Sequence, residues 1–236
     1  MPDYSDSIPI SFVITALAVM VLTAVFALLI HSQANRWLST YIIFLIAITP
    51  YALFVLNPEL PFTMAPILII SAVLAIAGGI GRAGQWFSQY PLWLIIGIQG
   101  FRLPLEFILH GLYVDGLMPK QMTWLGSNFD VIAGADAIIV AVACAIAGRS
   151  QIKFQITLAI TFSIVGLVLL ANVIRIAASS LPHGLTEFSQ TAPLLLPYTL
   201  PYSYIIPVFV FTALFAHIAL LRATRKLIMS PSLKVG

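Results

Sequence analysis

The sequence predicts an all-α, polytopic membrane protein: one bundle of seven transmembrane helices, N-terminus outside and C-terminus in the cytoplasm. Three observations predict it. Of the 236 residues, 61% are hydrophobic and only 8% are charged, where soluble domains carry about 25%. Seven apolar runs of spanning length follow one another, at about 8–31, 38–56, 61–81, 90–114, 129–148, 154–178 and 202–224. The basic residues alternate between the segments that join those runs. With the N-terminus outside, the inner segments hold Arg36, Arg82, Arg149, Lys153, Arg222, Arg225, Lys226 and Lys234, and the outer ones only Lys120 and Arg175. The positive-inside rule then fixes the orientation.

The first run is too long for a signal-peptide core and has no basic residue before it, so it is expected to remain as a span. The third weakens toward its end at Gly78, Gly79 and Gly81. The fourth is the most informative. It carries Gln99, Arg102, Glu106, His110 and Tyr113, at spacings of three, four, four and three, which place them on one helical face. An Arg at the centre of a span costs roughly 2.5–3.5 kcal/mol on insertion scales, so the stripe must face other helices or a wet cavity. Pro104 is expected to kink this helix. Arg precedes Glu, the weaker order for a same-helix pair, so each could instead pair with another helix. A purely architectural role in docking helices stands beside the functional one.

The outer segment 116–129 leads into Ser127, Asn128 and Asp130, which suit the start of the fifth helix as cap and dipole partner. Counting about 1.5 Å per residue from the outer ends puts Glu106, Asp136 and Asn172 roughly 12, 10 and 9 Å deep. Arg102 lies nearer the centre, with His110, Asp130 and Arg175 above. A polar site in the outer half follows, expected to hold Arg102, Glu106, Asp136 and Asn172. Glu106 is expected to pair with Arg102, leaving Asp136 to carry an exchangeable proton. Gln99, His110, Asn128, Asp130, Arg175, His183 and His217 are secondary candidates. Segment 180–201 is rich in proline and leucine, so it is expected to lie on the membrane surface or to fold over the bundle as a lid.

One cysteine, Cys144, excludes an internal disulfide and any multi-cysteine metal site. An inner bis-histidine pair of His31 and His217 is conceivable for haem, but His31 sits at the very end of its run. For His217 the simpler role is a hydrogen bond to a neighbouring helix. No metal or cofactor is expected, and the seventh run has no lysine for a retinal Schiff base. The expected partners are the lipid bilayer and a small ligand, ion or proton. A protein partner or homo-oligomer remains open. Nucleic acid is not expected, because the basic residues are scattered rather than gathered in a patch.

From the fourth run onward the chain resembles an uncharacterised family of bacterial integral membrane proteins. Phe101-Arg102-Leu-Pro104-Leu-Glu106, Pro119-Lys-Gln121-Met122-Thr123, Gly126-Ser-Asn128-Phe129-Asp130, and Ile164 to Asn172 carry the resemblance, with Pro207, His217 and Arg222. It implies the bacterial inner membrane and no particular reaction. Asn172-Val-Ile-Arg175 also resembles the Asn-x-x-Arg element of exosortases and archaeosortases, which implies a transpeptidase. The place for a nucleophile, around Ala133-Gly134-Ala135, however, has no cysteine. The residues therefore leave three functions open. The first is a small transporter, channel or ligand-binding membrane protein. The second is an enzyme acting on a lipid or lipoprotein at the outer leaflet, and the third an accessory subunit of a larger membrane complex.

Overall fold

The computed structural model describes residues 8–29, 35–183, 188 and 191–230. Nine α-helices are present among them: α1 Ile8–Leu29, α2 Asn35–Phe54, α3 Ala65–Ile80, α4 Arg82–Phe87, α5 Leu92–Ile98, α6 Arg102–Val114, α7 Asp130–Ala147, α8 Ile152–Ser180 and α9 Phe211–Ile228. Among the described residues there is no strand. Five segments are long and apolar enough to cross a membrane: Arg36–Phe54, Leu92–Val114, Asp130–Ala147, Ile152–Ser180 and Tyr202–Ile228. Two shorter apolar helices, Val13–Thr23 and Ala65–Ile80, accompany them. The outer faces of these helices carry Ile43, Phe54, Val114, Ile146 and Val168, each well over half exposed. Large apolar side chains on that scale belong in hydrocarbon, and the chain is read as a membrane-embedded helical protein.

Two spans depart from regular α-geometry, each at a proline. Between α5 and α6 the chain tightens into a 3-10 turn at Gln99–Phe101. Pro104 cannot donate to the carbonyl four residues back, that of Gly100, and the tighter turn adjusts the ladder there. Ahead of α9, Ile206–Val210 widens into a π-turn around Pro207, and Tyr41 donates its hydroxyl hydrogen to the Pro207 carbonyl at 2.7 Å.

The helices join two ends of unlike character. At one end, the basic end, Arg222 donates to the carbonyls of Ile80 and Gly81 and so closes the C-terminus of α3. Next to it lies an apolar core of stacked rings, with Tyr41 on Phe211 at 4.0 Å and Trp37 on Phe215 at 5.5 Å. Cys144 is fully buried in the same core. At the other end, the loop end, segments 115–129 and 191–201 fold onto the helices. Leu194, Leu196 and Tyr198 are buried, and the Leu194 amide donates to the Ser180 carbonyl. These contacts hold residues 191–201 against the ends of the helices. Gln121 pins the two segments together by donating to the hydroxyls of Ser180 at 3.2 Å and Thr191 at 2.8 Å.

Candidate functional site

The registry of α7 against α5 and α6 decides what meets Arg102. A side-chain carbon built at Gly134 would lie 2.3 Å from the backbone nitrogen of Leu103. One at Gly100 would meet Ile138, and one at Gly97 would meet Ala141. These antiparallel pairs put the first residue of α7, Asp130, level with about residue 108. At 1.5 Å per residue, α7 therefore begins roughly 9 Å short of the loop end of α6. The connection 115–129 folds back into the bundle to reach that point. Its polar groups are satisfied internally, as irregular backbone at membrane depth requires. Met122 donates to Pro119, Gly126 and Asn128 both donate to Thr123, and the Thr123 hydroxyl donates to Lys120. On α6, His110 stacks on Trp124 of this connection at 4.2 Å.

Arg102 is 1% exposed and pairs with Asp130, not with Glu106. Its Nε donates to Oδ2 at 2.8 Å, and Nη2 donates to Oδ1, a bidentate arrangement that holds the guanidinium in one orientation. Nη1 lies 3.4 Å from His217 Nε2, and Nη2 lies 3.5 Å from the Gly166 carbonyl. Arginine carries only donors, so His217 Nε2 accepts and the ring hydrogen sits on Nδ1. That nitrogen faces the Gln99 amide at 3.5 Å, while Gln99 Oε1 has no other partner. Turning the amide so that Oε1 accepts from Nδ1 satisfies both groups, and Gln99, His217 and Arg102 then form one chain of hydrogen bonds. Gly166 makes room for it. A side-chain carbon there would lie 2.4 Å from His217 Cε1 and 3.5 Å from Arg102 Nη1.

Glu106, 2% exposed, has a different partner. Asn128 Nδ2 lies 3.0 Å from both of its carboxylate oxygens, and also 3.0 Å from the Met122 carbonyl. Asn128 Oδ1 accepts from the Asp130 amide at 3.0 Å. Asn128 thus ties Glu106, the folded-in connection and the start of α7 into one unit. The N-cap position itself is Phe129, and Asn128 acts one residue earlier, through an Asx-type turn onto the Asp130 amide rather than as the expected cap. Asp130 spends its carboxylate on Arg102 rather than on the helix dipole alone.

Above these groups lies a partly open cavity of about 460 Å³. Arg102, Glu106 and Asp130 form its polar floor, and Leu105, Leu109, Leu170, Ile174, Phe209 and Ala213 are among its apolar walls. Met118, Met122, Leu194 and Pro197 cover it from the loop end. α3 and α8 both pack on α9. His183, just after α8, reaches the segment before α3 at the rim, donating from Nε2 to the Glu59 carbonyl at 3.1 Å. Phe62 and His183, both in the cavity wall, have left-handed φ values of 63° and 56°. Non-glycine residues rarely adopt that conformation. Tyr198 also lines the cavity; burial raises its hydroxyl above the usual phenol range, while a hydrogen bond with Thr63 pulls it back.

The remaining candidates fall elsewhere. Asp136 is half-buried and does not line the cavity; the late start of α7 puts it level with about residue 102, deeper than expected. Asn172 donates to the Ser127 carbonyl at 2.8 Å and accepts from Arg175 at 2.9 Å, so the Asn-x-x-Arg element braces α8 against the folded-in connection. His110 lies outside the cavity wall. His31 falls outside the described residues. Gly134 and Gly166 were missed altogether, and no chemical signal in the sequence marks them. No protein-family model, curated protein or solved structure matches the chain.

Proposed function

We propose that this chain is a seven-span inner-membrane protein that binds a small ligand in the outer half of the bilayer, as a transporter or ligand-binding protein. The observation that carries this reading is the partly open cavity of about 460 Å³, apolar in its walls and charged only at its floor. Binding pockets for small molecules have this make-up and a volume of roughly 300–1,000 Å³. Buried ionisable groups within membrane spans mark ligand, ion or proton sites by default. In this reading Arg102 and Asp130 set the shape of the floor, and Glu106 is the acid available for exchange with ligand or proton. The loop end faces outward, a reading supported by Arg82, Arg222, Arg225 and Lys226 lying toward the opposite end.

The transpeptidase resemblance finds less support. Among the described residues the cavity wall contains no Ser, Thr or Cys, and Cys144 is buried in the ring-stacked core at the other end. An accessory-subunit role predicts a polar stripe closed by helix packing, whereas here the stripe borders open volume.

Cys144 is the chain's one cysteine, which makes labelling a clean test. On a Cys144→Ala background, Ala177→Cys on the cavity wall should react with a small membrane-permeant maleimide. Ala159→Cys, in the packed core, should stay unreactive. Equal protection of both positions would remove the cavity as a ligand site. Reporter fusions after Arg222 should read cytoplasmic and a tag before Ser7 external; the reverse would put the cavity in the inner half.

A further inference from the structure

We propose that the cavity selects a lipophilic cation, with Glu106 as the counter-ion. This inference deepens the ligand-site reading above and rests on it. The charge balance of the lining carries it. Arg102 is taken up by both oxygens of Asp130, which leaves that pair neutral as a unit. His217 accepts from Arg102 and so brings no charge of its own to the floor. Glu106 is held by the Asn128 amide, a neutral donor. At the rim, His183 is committed to a backbone carbonyl. One carboxyl group therefore has no charged partner in a chamber with apolar walls. Its ionised form is costly at low dielectric, and a cation brought in by the ligand removes that cost.

The aromatic groups point the same way. Phe101 and Phe209, their ring centres 5.6 Å apart, both line the cavity, and ring faces attract cations. An anion would find the one guanidinium already bidentate and would oppose ionisation of Glu106. A neutral guest could share a hydrogen bond with the Glu106 carboxyl group but would not favour its charged form. The apolar walls require the rest of the guest to be hydrocarbon or aromatic.

Tetraphenylphosphonium and tetraphenylborate, alike in shape and opposite in charge, test this on the purified full-length chain in detergent, with binding read by calorimetry. The phosphonium should bind at least about tenfold more tightly. Glu106→Gln should abolish that preference. Leu109→Lys, which places a cation in the cavity wall while leaving Glu106 intact, should abolish it by a separate route if the first variant does not fold. Ala177→Trp, which fills the cavity without changing its charge, should weaken both ions. Equal binding of the two ions, or a phosphonium preference that survives Glu106→Gln or Leu109→Lys, would overturn the cation site and leave the ligand cavity standing. Failure of both ions to bind, or binding untouched by Ala177→Trp, would overturn the cavity reading itself.

Discussion

The two ends of the bundle solve the same packing problem in opposite ways. Near the basic end, α2, α4, α5, α7 and α9 fill their shared space with aromatic rings and small residues, so Tyr41, Phe87, Phe215 and Cys144 are fully buried. Near the loop end, α3, α6, α8 and α9 share a comparable space and leave about 460 Å³ of it open. Leucines and methionines were available to close it, yet three ionisable side chains are placed at its floor instead. The difference teaches that the open volume does not run through the bundle: the stacked rings block a continuous path from Glu106 to the basic end. A simple open channel does not fit this conformation. A binding protein, or a transporter resting in one of its states, does.

The largest expected effect comes from breaking the floor. Asp130→Ala strands Arg102 in the interior and should cost about 3–5 kcal/mol, the usual result of removing one partner of a buried ion pair. Unfolding in detergent micelles would measure it. The double variant Arg102→Met with Asp130→Leu removes both charges and should recover most of that stability. A double variant as unstable as the single one would mean that the pair anchors the fold in a way apolar packing cannot replace.

A matched pair on α9 and its π-turn sharpens the contrast between the ends. Phe215 lies in the ring-stacked core, whereas Phe209 borders the cavity. Phe215→Ala should cost about 3–5 kcal/mol, the range for deleting a core aromatic. Phe209→Ala should cost clearly less, because part of its surface already faces open space and has fewer contacts to lose. Equal losses in thermal unfolding would mean that the cavity is filled, and the contrast between the ends would disappear.

Gly166→Ala comes next, at about 1–3 kcal/mol for overpacking a tight contact. The added carbon would drive into the His217 ring. His217→Ala on the same background should relieve part of that cost, and a double-mutant cycle on thermal unfolding would read the coupling. Additive losses would place the clash elsewhere.

Much of this was legible in the residues. Apolar runs and scattered charge gave the helical membrane class. The three- and four-residue spacing on the fourth run picked out Gln99, Arg102 and Glu106, all of which are buried. The pairing was not legible. A rise count assumes that each helix starts at the membrane surface, and α7 does not. Its start is set by Asn128 bonding to Glu106 and Met122, a contact between distant segments that leaves no periodic trace. Asp130 was therefore placed too far outward to meet Arg102. Gly134 and Gly166 were hidden for a related reason, since their role lies in what they leave room for.

Asp136 gives the smallest effect and the sharpest test of the revised site. Its depth, and the expected pairing of Glu106 with Arg102, had marked it as the proton carrier. The structure instead turns it off the cavity, half-buried on the flank of α7, with no hydrogen bond or ion pair among the described residues. Removing its charge strands no partner and opens no void. Asp136→Asn should therefore change stability by no more than about 0.5 kcal/mol, as substitutions away from packed or paired features do. It should also leave tetraphenylphosphonium binding unchanged, whereas Glu106→Gln, equally conservative in shape, abolishes the charge preference. Both variants remove one carboxylate from the interior of the span region, so a general change in the protein's field would affect them alike. If Asp136→Asn weakened phosphonium binding as much as Glu106→Gln does, net charge rather than the cavity floor would govern selectivity, and Glu106 would lose its assigned role.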